Sequence, residues 1–179
     1  MIFIFQSRCI AIEECSLPVL AALHGGCIGG GVDSICACDM RYATESSYIT
    51  VKEIDMGMVA DLGTLQRLPK LIPHGVAREQ AYTGRKVSGL DAKQMGLVNE
   101  VYDNKEHMMD SVNQIALQIA GKSPLSIRGI KEMMNYTRDH SVQEGLNYIA
   151  TWNAGMLLSN DLMAATQASM MKQKAEFKD

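Results

Sequence analysis

The sequence predicts an α/β chain, with short strands alternating with helices before a wholly helical C-terminal region. Three observations carry this. Short apolar runs bounded by glycine, proline or polar residues recur up to Val101, as strands of a covered sheet do. Segments of helical spacing lie between them, and beyond them only helical stripes continue. At 179 residues the chain has the length of one ordinary domain.

The elements follow in order. Residues 1–15 place Ile4, Cys9, Ile12 and Cys15 at helix-like spacing and read as an amphipathic helix. Pro18-Val-Leu-Ala-Ala-Leu23 reads as a strand buried on both faces, followed by a glycine-dense loop, His24 to Gly31. Val32–Met40 is small and apolar, like a buried helix, and Arg41–Ala43 and Tyr48–Val51 suit two further strands.

Helices are expected over Gly63–Leu71, stopped at Pro73, and over Ala77–Thr83. Another runs over Ser88–Met95 with Gly96 at its end, before a strand at Leu97–Val101. Met108, Val112, Ile115 and Ile119 form one apolar stripe. Ser123-Pro124 marks a helix start. Ser141-Val-Gln-Glu144 fits a capping box opening a helix to about Leu158. No internal repeat, low-complexity stretch or linker is visible.

Composition narrows the function. With 47% hydrophobic and 21% charged residues and a net charge of −3, nothing points to nucleic acid or an anionic membrane as partner. No apolar run reaches the roughly 18 residues of a membrane span. Five scattered cysteines suggest buried thiols in a reducing compartment, and Cys36 and Cys38 lack a zinc-site spacing. No metal site is expected. The opening residues make a poor signal peptide, and the closing EFKD is no peroxisomal tripeptide. The histidines (His24, His74, His107, His140) suit core or surface roles, and the thirteen methionines suit adaptable packing.

Two features could carry chemistry. Gly29-Gly30-Gly31, between a strand and a helix, would present bare N–H groups at a helix N-terminus, fit to bind a negatively charged oxygen. The same glycines would also serve a plain tight turn, and composition leaves both readings open. They match neither a dinucleotide fingerprint nor a P-loop. The acids come next: Asp33 in the first turn after the glycines, and Glu53 and Asp61 in the otherwise apolar Val51–Gly63. Apolar surroundings move a carboxyl toward the range of a general acid or base. From the residues alone, a helix-dipole role for Asp33 and solvated loop positions for the other two are the more ordinary readings.

The stretch Pro18–Asp33 resembles the signature of the enoyl-CoA hydratase/isomerase (crotonase) superfamily. Cys38-Asp-Met-Arg-Tyr42, Gly63-Thr-Leu-Gln-Arg-Leu-Pro69, Gly96–Val101, Ser123-Pro124 and Arg138–Ser141 continue the resemblance over nearly the whole chain. It implies a ββα spiral core over residues 1–103, incomplete at its N-terminal end, and a helical trimerisation or lid region over 104–179. Hydratases of the family are similar but carry glutamate where Asp33 stands and glycine where Asp61 stands. The set Asp33, Glu53 and Asp61 looks like that of the Δ3,5-Δ2,4-dienoyl-CoA isomerases.

What the resemblance implies is specific. Gly30 N–H would stabilise the thioester oxygen, with Gly26, Gly29 and Gly31 lining the substrate. Glu53 would take a proton from C2, Asp61 would deliver one at C6, and Asp33 would orient the intermediate. No cofactor is implied, since CoA belongs to the acyl-CoA substrate. Partners would be further copies, as trimer or hexamer, and the address mitochondrial matrix or peroxisome. The family's N-terminal portion, with a second oxyanion donor and much of the CoA surface, has no counterpart here, so a truncated form is expected. The alternatives are an enoyl-CoA hydratase, a Δ3-Δ2 isomerase or a non-catalytic fragment.

Overall fold

The computed structural model describes residues 2–177. The chain forms two compact units: residues up to Cys15 with Val19–Gln114, and Ser16–Pro18 with residues from Ile115 onward.

The first unit begins with helix α1 (Ile2–Glu14), then strands β1 (Leu20–Leu23) and β2 (Gly26–Ile28) and helix α2 (Gly30–Ala37). The same ββ-then-helix order repeats with β3 (Met40–Thr44), β4 (Tyr48–Thr50), a 3-10 turn at Glu53–Met56, α3 (Thr64–Leu71) and α4 (His74–Thr83). Strand β5 (Val87–Ser88), helix α5 (Gly89–Gln94) and strand β6 (Glu100–Tyr102) complete its sheets, and α6 (Lys105–Ala120) crosses the boundary between the units.

Consecutive strands part into different sheets. β1, β3 and β6 pair in parallel, Leu20 opposite Met40 and Tyr42 opposite Glu100. β2 pairs in parallel with β4, Gly26 opposite Tyr48, and β5 adds antiparallel to β4. Each ββ unit therefore stacks on the next, giving a spiral whose repeat leaves no trace in residue identity. Leu23, Val32, Ala43, Ile49, Leu68, Val87 and Leu97 belong to one buried cluster at the centre of this stack.

The structure departs from the expected elements in several ways. The helix expected over Val32–Met40 is α2 at Gly30–Ala37, with Met40 already in β3, and the strand expected over Leu97–Val101 is confined to Glu100–Tyr102. The glycine-dense segment is not all loop, because Gly26–Ile28 pairs as β2. β1 is not covered on both faces: Ala22 is exposed, as suits a strand with a neighbour on one side only among the described residues. In α1 Cys9 is buried and Ile12 half-buried, but Ile4 is exposed, so the stripe covers only the helix's C-terminal half.

A buried cation ties the spiral together. Arg41, 6% exposed, donates from Nε to Leu97 O (2.7 Å) and from Nη1 to Cys38 O (2.6 Å) and Ile35 O (3.1 Å). It thus caps the carbonyl end of α2, sharing Ile35 O with Cys38 N (3.2 Å), and burial lowers its pKa.

The second unit holds the C-terminal part of α6 with α7 (Pro124–Thr137), α8 (Val142–Met156) and α9 (Asn160–Met170). Its helix starts are local. The hydroxyls of Ser123, Ser141 and Ser159 accept from the N–H groups of Ser126, Glu144 and Leu162, and Glu144 closes the capping box on Ser141. Gly129 lets the Trp152 indole lie against α7, where a Cβ would stand 2.6 Å from Nε1. A cavity of about 940 Å³, lined by residues including Ile130, Met133, Trp152, Met156 and Leu162, opens among α7, α8 and α9.

Candidate active site

The turn from β2 into α2 is set by Gly29, whose φ of 53° and ψ of −118° only glycine adopts without strain. Its N–H donates to Thr50 O at 3.0 Å, and its carbonyl accepts from Val32 N at 2.7 Å. A Cβ on Gly29 would stand 3.0 Å from Glu53 Oε1, so the bare α-carbon is what lets the Glu53 carboxylate close on the turn. Beside Gly30 a side chain would meet nothing within 4 Å, and the Gly30 N–H has no backbone acceptor among the described residues. This glycine is the one that faces open space at the helix start.

The other two glycines are used differently. The nearest atom to a Cβ on Gly26 would be the Tyr48 hydroxyl oxygen, 2.7 Å away, while a Cβ on Gly31 would stand 3.3 Å from Cys27 Sγ. Lys86 Nζ lies 4.2 Å from the centre of the Tyr48 ring.

Glu53 opens the 3-10 turn, and its carbonyl accepts from Met58 N at 3.0 Å. Its Oε2 is buried and has no hydrogen-bond partner among the described residues. A buried acceptor left without a donor costs stability unless something uses it.

Asp33 is 1% exposed in the first turn of α2. Its Oδ1 accepts from both Thr64 N and Thr64 Oγ1 at 2.7 Å. Helix α3 begins after Gly63 with no side-chain cap of its own, so a carboxylate from α2 serves its first N–H. Asp33 Oδ2 is buried without a hydrogen-bond partner among the described residues.

Asp61 lies between the 3-10 turn and α3, half-buried, and its carbonyl accepts from Gln6 Nε2 at 2.7 Å. The structure therefore joins Gly29 directly to Glu53, and Asp33 to the residue that starts α3 just after Asp61. Thr64 and Gln6 escaped the sequence reading. Thr64 could have been found from a helix start that lacks its own cap, whereas nothing local marks Gln6.

Burial disfavours ionisation of three nearby thiols. Burial pushes Cys36 up to about 12, and burial with the neighbouring Cys38 pushes Cys27 up to about 11. Burial and then the Asp33 charge raise Cys9. No group of histidine, cysteine and acids suited to hold a metal occurs among the described residues.

A family model described as Enoyl-CoA hydratase/isomerase matches residues 3–179. The chain belongs to the enoyl-CoA hydratase/isomerase family. Its relatives include the peroxisomal Delta(3,5)-Delta(2,4)-dienoyl-CoA isomerase of Arabidopsis thaliana, 50% identical over 96% of this chain and 62% of that protein. The mitochondrial Delta(3,5)-Delta(2,4)-dienoyl-CoA isomerase of Rattus norvegicus is 46% identical over 96% of this chain and 53% of that protein. The chain thus spans between half and two thirds of the length of these curated relatives.

The crotonase fold is shared with solved members. The crystal structure of enoyl-CoA hydratase from Bacillus anthracis superposes with a TM-score of 0.95 at 30% identity, covering 99% of this chain and 68% of that one. In this enoyl-CoA hydratase/isomerase member the stacked ββ units form the spiral core, and the glycine turn, Glu53 and Asp33 all sit where that core meets its helices.

Proposed function

We propose that the chain carries the acid–base machinery of a Δ3,5-Δ2,4-dienoyl-CoA isomerase. Its substrate would be a 3-trans,5-cis-dienoyl-CoA, and its product the 2-trans,4-trans isomer made in the β-oxidation of unsaturated fatty acids. The observation that carries this reading is Glu53 Oε2, buried and unpartnered where the carboxylate closes on Gly29. A second acid, Asp61, follows within the same connecting segment, and relatives of 46% and 50% identity bear this enzyme's name.

The chemistry is a proton relay along a conjugated chain. Ionised Glu53 takes a proton from C2, and the C–H pair enters the π system as a dienolate with its charge on the thioester oxygen. Gly30 N–H, at the start of α2, donates to that oxygen, with Gly29 and Gly31 shaping the turn and Gly26 the strand before it. Protonated Asp61 then delivers its proton at C6, leaving double bonds at C2 and C4. Glu53 ends protonated and Asp61 ionised, so exchange with water resets both before the next turnover. Asp33 holds α3 in place through Oδ1 and orients rather than exchanges protons. CoA is part of the substrate, and no further cofactor enters the relay.

The family's trimers and hexamers, and the mitochondrial and peroxisomal addresses in the relatives' names, are the assembly and locations proposed for the whole protein. The test is a purified chain supplied with a 3,5-dienoyl-CoA while the ultraviolet absorbance of the conjugated 2,4-dienoyl product is followed. Glu53→Gln should lower turnover by about 10² to 10⁴, the usual contribution of a positioned base. Unchanged turnover in that variant would sink the assignment. Asp61→Asn separates the nearest alternative, because an enoyl-CoA hydratase or Δ3-Δ2 isomerase would keep its activity.

A further inference from the structure

The side chains of the segment before Asp61 are largely exposed, apart from Ala60. Met56, Met58 and Val59 are all exposed, Val59 at 73%. The Asp61 side chain forms no hydrogen bond or ion pair among the described residues, and the residue is held through its backbone carbonyl. Its carboxyl position is therefore inherited from the backbone that carries it.

That backbone is gripped at three successive points by side chains from elsewhere. Gln6 Nε2 in α1 donates to Asp61 O at 2.7 Å. Arg67 Nη1 in α3 donates to Leu62 O at 3.4 Å. Thr64 N donates to Asp33 Oδ1 at 2.7 Å. Arg67 is itself fixed by a fork on Glu13 Oε2, with Nη2 at 2.7 Å and Nε at 3.1 Å, and the two side chains are 13% and 14% exposed. Such a shielded, forked pair holds geometry far better than an exposed one. Gln6 and Glu13 lie two turns apart on α1, hence on one face of it.

Gly63 completes the corner. Its φ is 125°, and a Cβ there would come 1.7 Å from Arg67 Nη1, so the guanidinium lies directly against bare backbone.

We propose that Gln6 and the Glu13–Arg67 pair are positioning residues for Asp61. Through them α1 sets the carboxyl that delivers the proton at the far end of the conjugated system. This rests on the isomerase reading above. It assigns to α1 a part in one of the two proton transfers and none in the other, which involves Glu53 and the glycine turn.

The experiment follows both transfers at once in D₂O on the full chain. Deuterium entering C2 of unconverted substrate reports the Glu53 step, and 2,4-dienoyl product reports the Asp61 step. Gln6→Ala, and Gln6→Glu, which keeps the shape but loses the donor, should lower product formation about tenfold, as a small misplacement does. KM and C2 exchange should stay within about twofold of wild type in the same samples. In an Asp61→Asn background Gln6→Ala should add no further loss, because both act through one carboxyl. Hydrogen exchange of the 61–64 amides should quicken in Gln6→Ala.

C2 exchange that falls in step with product, losses that add to Asp61→Asn, or unchanged amide exchange would each overturn the proposal. A wild type that neither exchanges nor converts would overturn the isomerase reading instead, together with the catalytic meaning of the grip. That case is told apart because Gln6→Ala would still loosen the 61–64 amides.

Discussion

The two units of this chain are built by different means. In the first, Ala43, Ile49 and Val87 are wholly buried, and strands far apart in sequence pair in parallel. In the second, Met134, Val142, Leu158 and Met170 are mostly exposed, and the helices are marked by serine caps a few residues from the bonds they make. The contrast teaches where chemistry can be placed. Local caps suffice to start a helix, whereas holding an acid at a fixed point needs contacts from several elements at once, as Gln6, Asp33 and Arg67 show around Asp61.

The comparison can be broken by substitutions matched across the units. Leu68 is 1% exposed within the buried cluster of the first unit. Leu68→Ala should destabilise that unit by about 2–5 kcal/mol, read as a shifted urea midpoint, since it removes both buried surface and packing. Gly29→Ala comes next. It forces a non-glycine residue to adopt a φ of 53° and sets a methyl 3.0 Å from Glu53 Oε1. A stability loss of about 1–3 kcal/mol is expected, with turnover falling further than stability because the carboxylate must move. An alanine there that left dienoyl-CoA turnover intact would detach Glu53 from the glycine turn.

Smaller effects sharpen the other side. Ser141→Ala removes the hydroxyl arm of the capping box, and about 1 kcal/mol of helix stability should go with it in chemical denaturation. The loss should be confined to amides of α8 in hydrogen exchange. Leu158→Ala, at a leucine 87% exposed, should stay within about 0.5 kcal/mol of the parent. If it cost as much as Leu68→Ala, the second unit would have a packed core like the first, and the contrast would fail.

Much of the helical framework is legible in the sequence. Ser123-Pro124 and the Ser141–Glu144 box mark α7 and α8 because a cap is written within four residues of its target. Gly96, at φ 83°, ends the α5 turn for the same local reason. The strands were less legible: β2 hides in a glycine-rich stretch, and β5 is two residues long and exists only because β4 lies beside it. The acids Glu53, Asp61 and Asp33 stood out by type and setting, but Thr64, Gln6 and Arg41 did not.

The sequence by itself determined the serine-capped starts of α7 and α8 and the residue types available for proton transfer, because those depend on spacing and on bonds between near neighbours. Tertiary structure alone decided that Gly29 rather than Gly26 backs Glu53, that Asp33 caps a helix thirty-one residues away, and that α1 holds the backbone of Asp61. These are contacts between segments distant along the chain. Their existence depends on how parallel strands stack, and residue identity records that stacking only after the chain has folded.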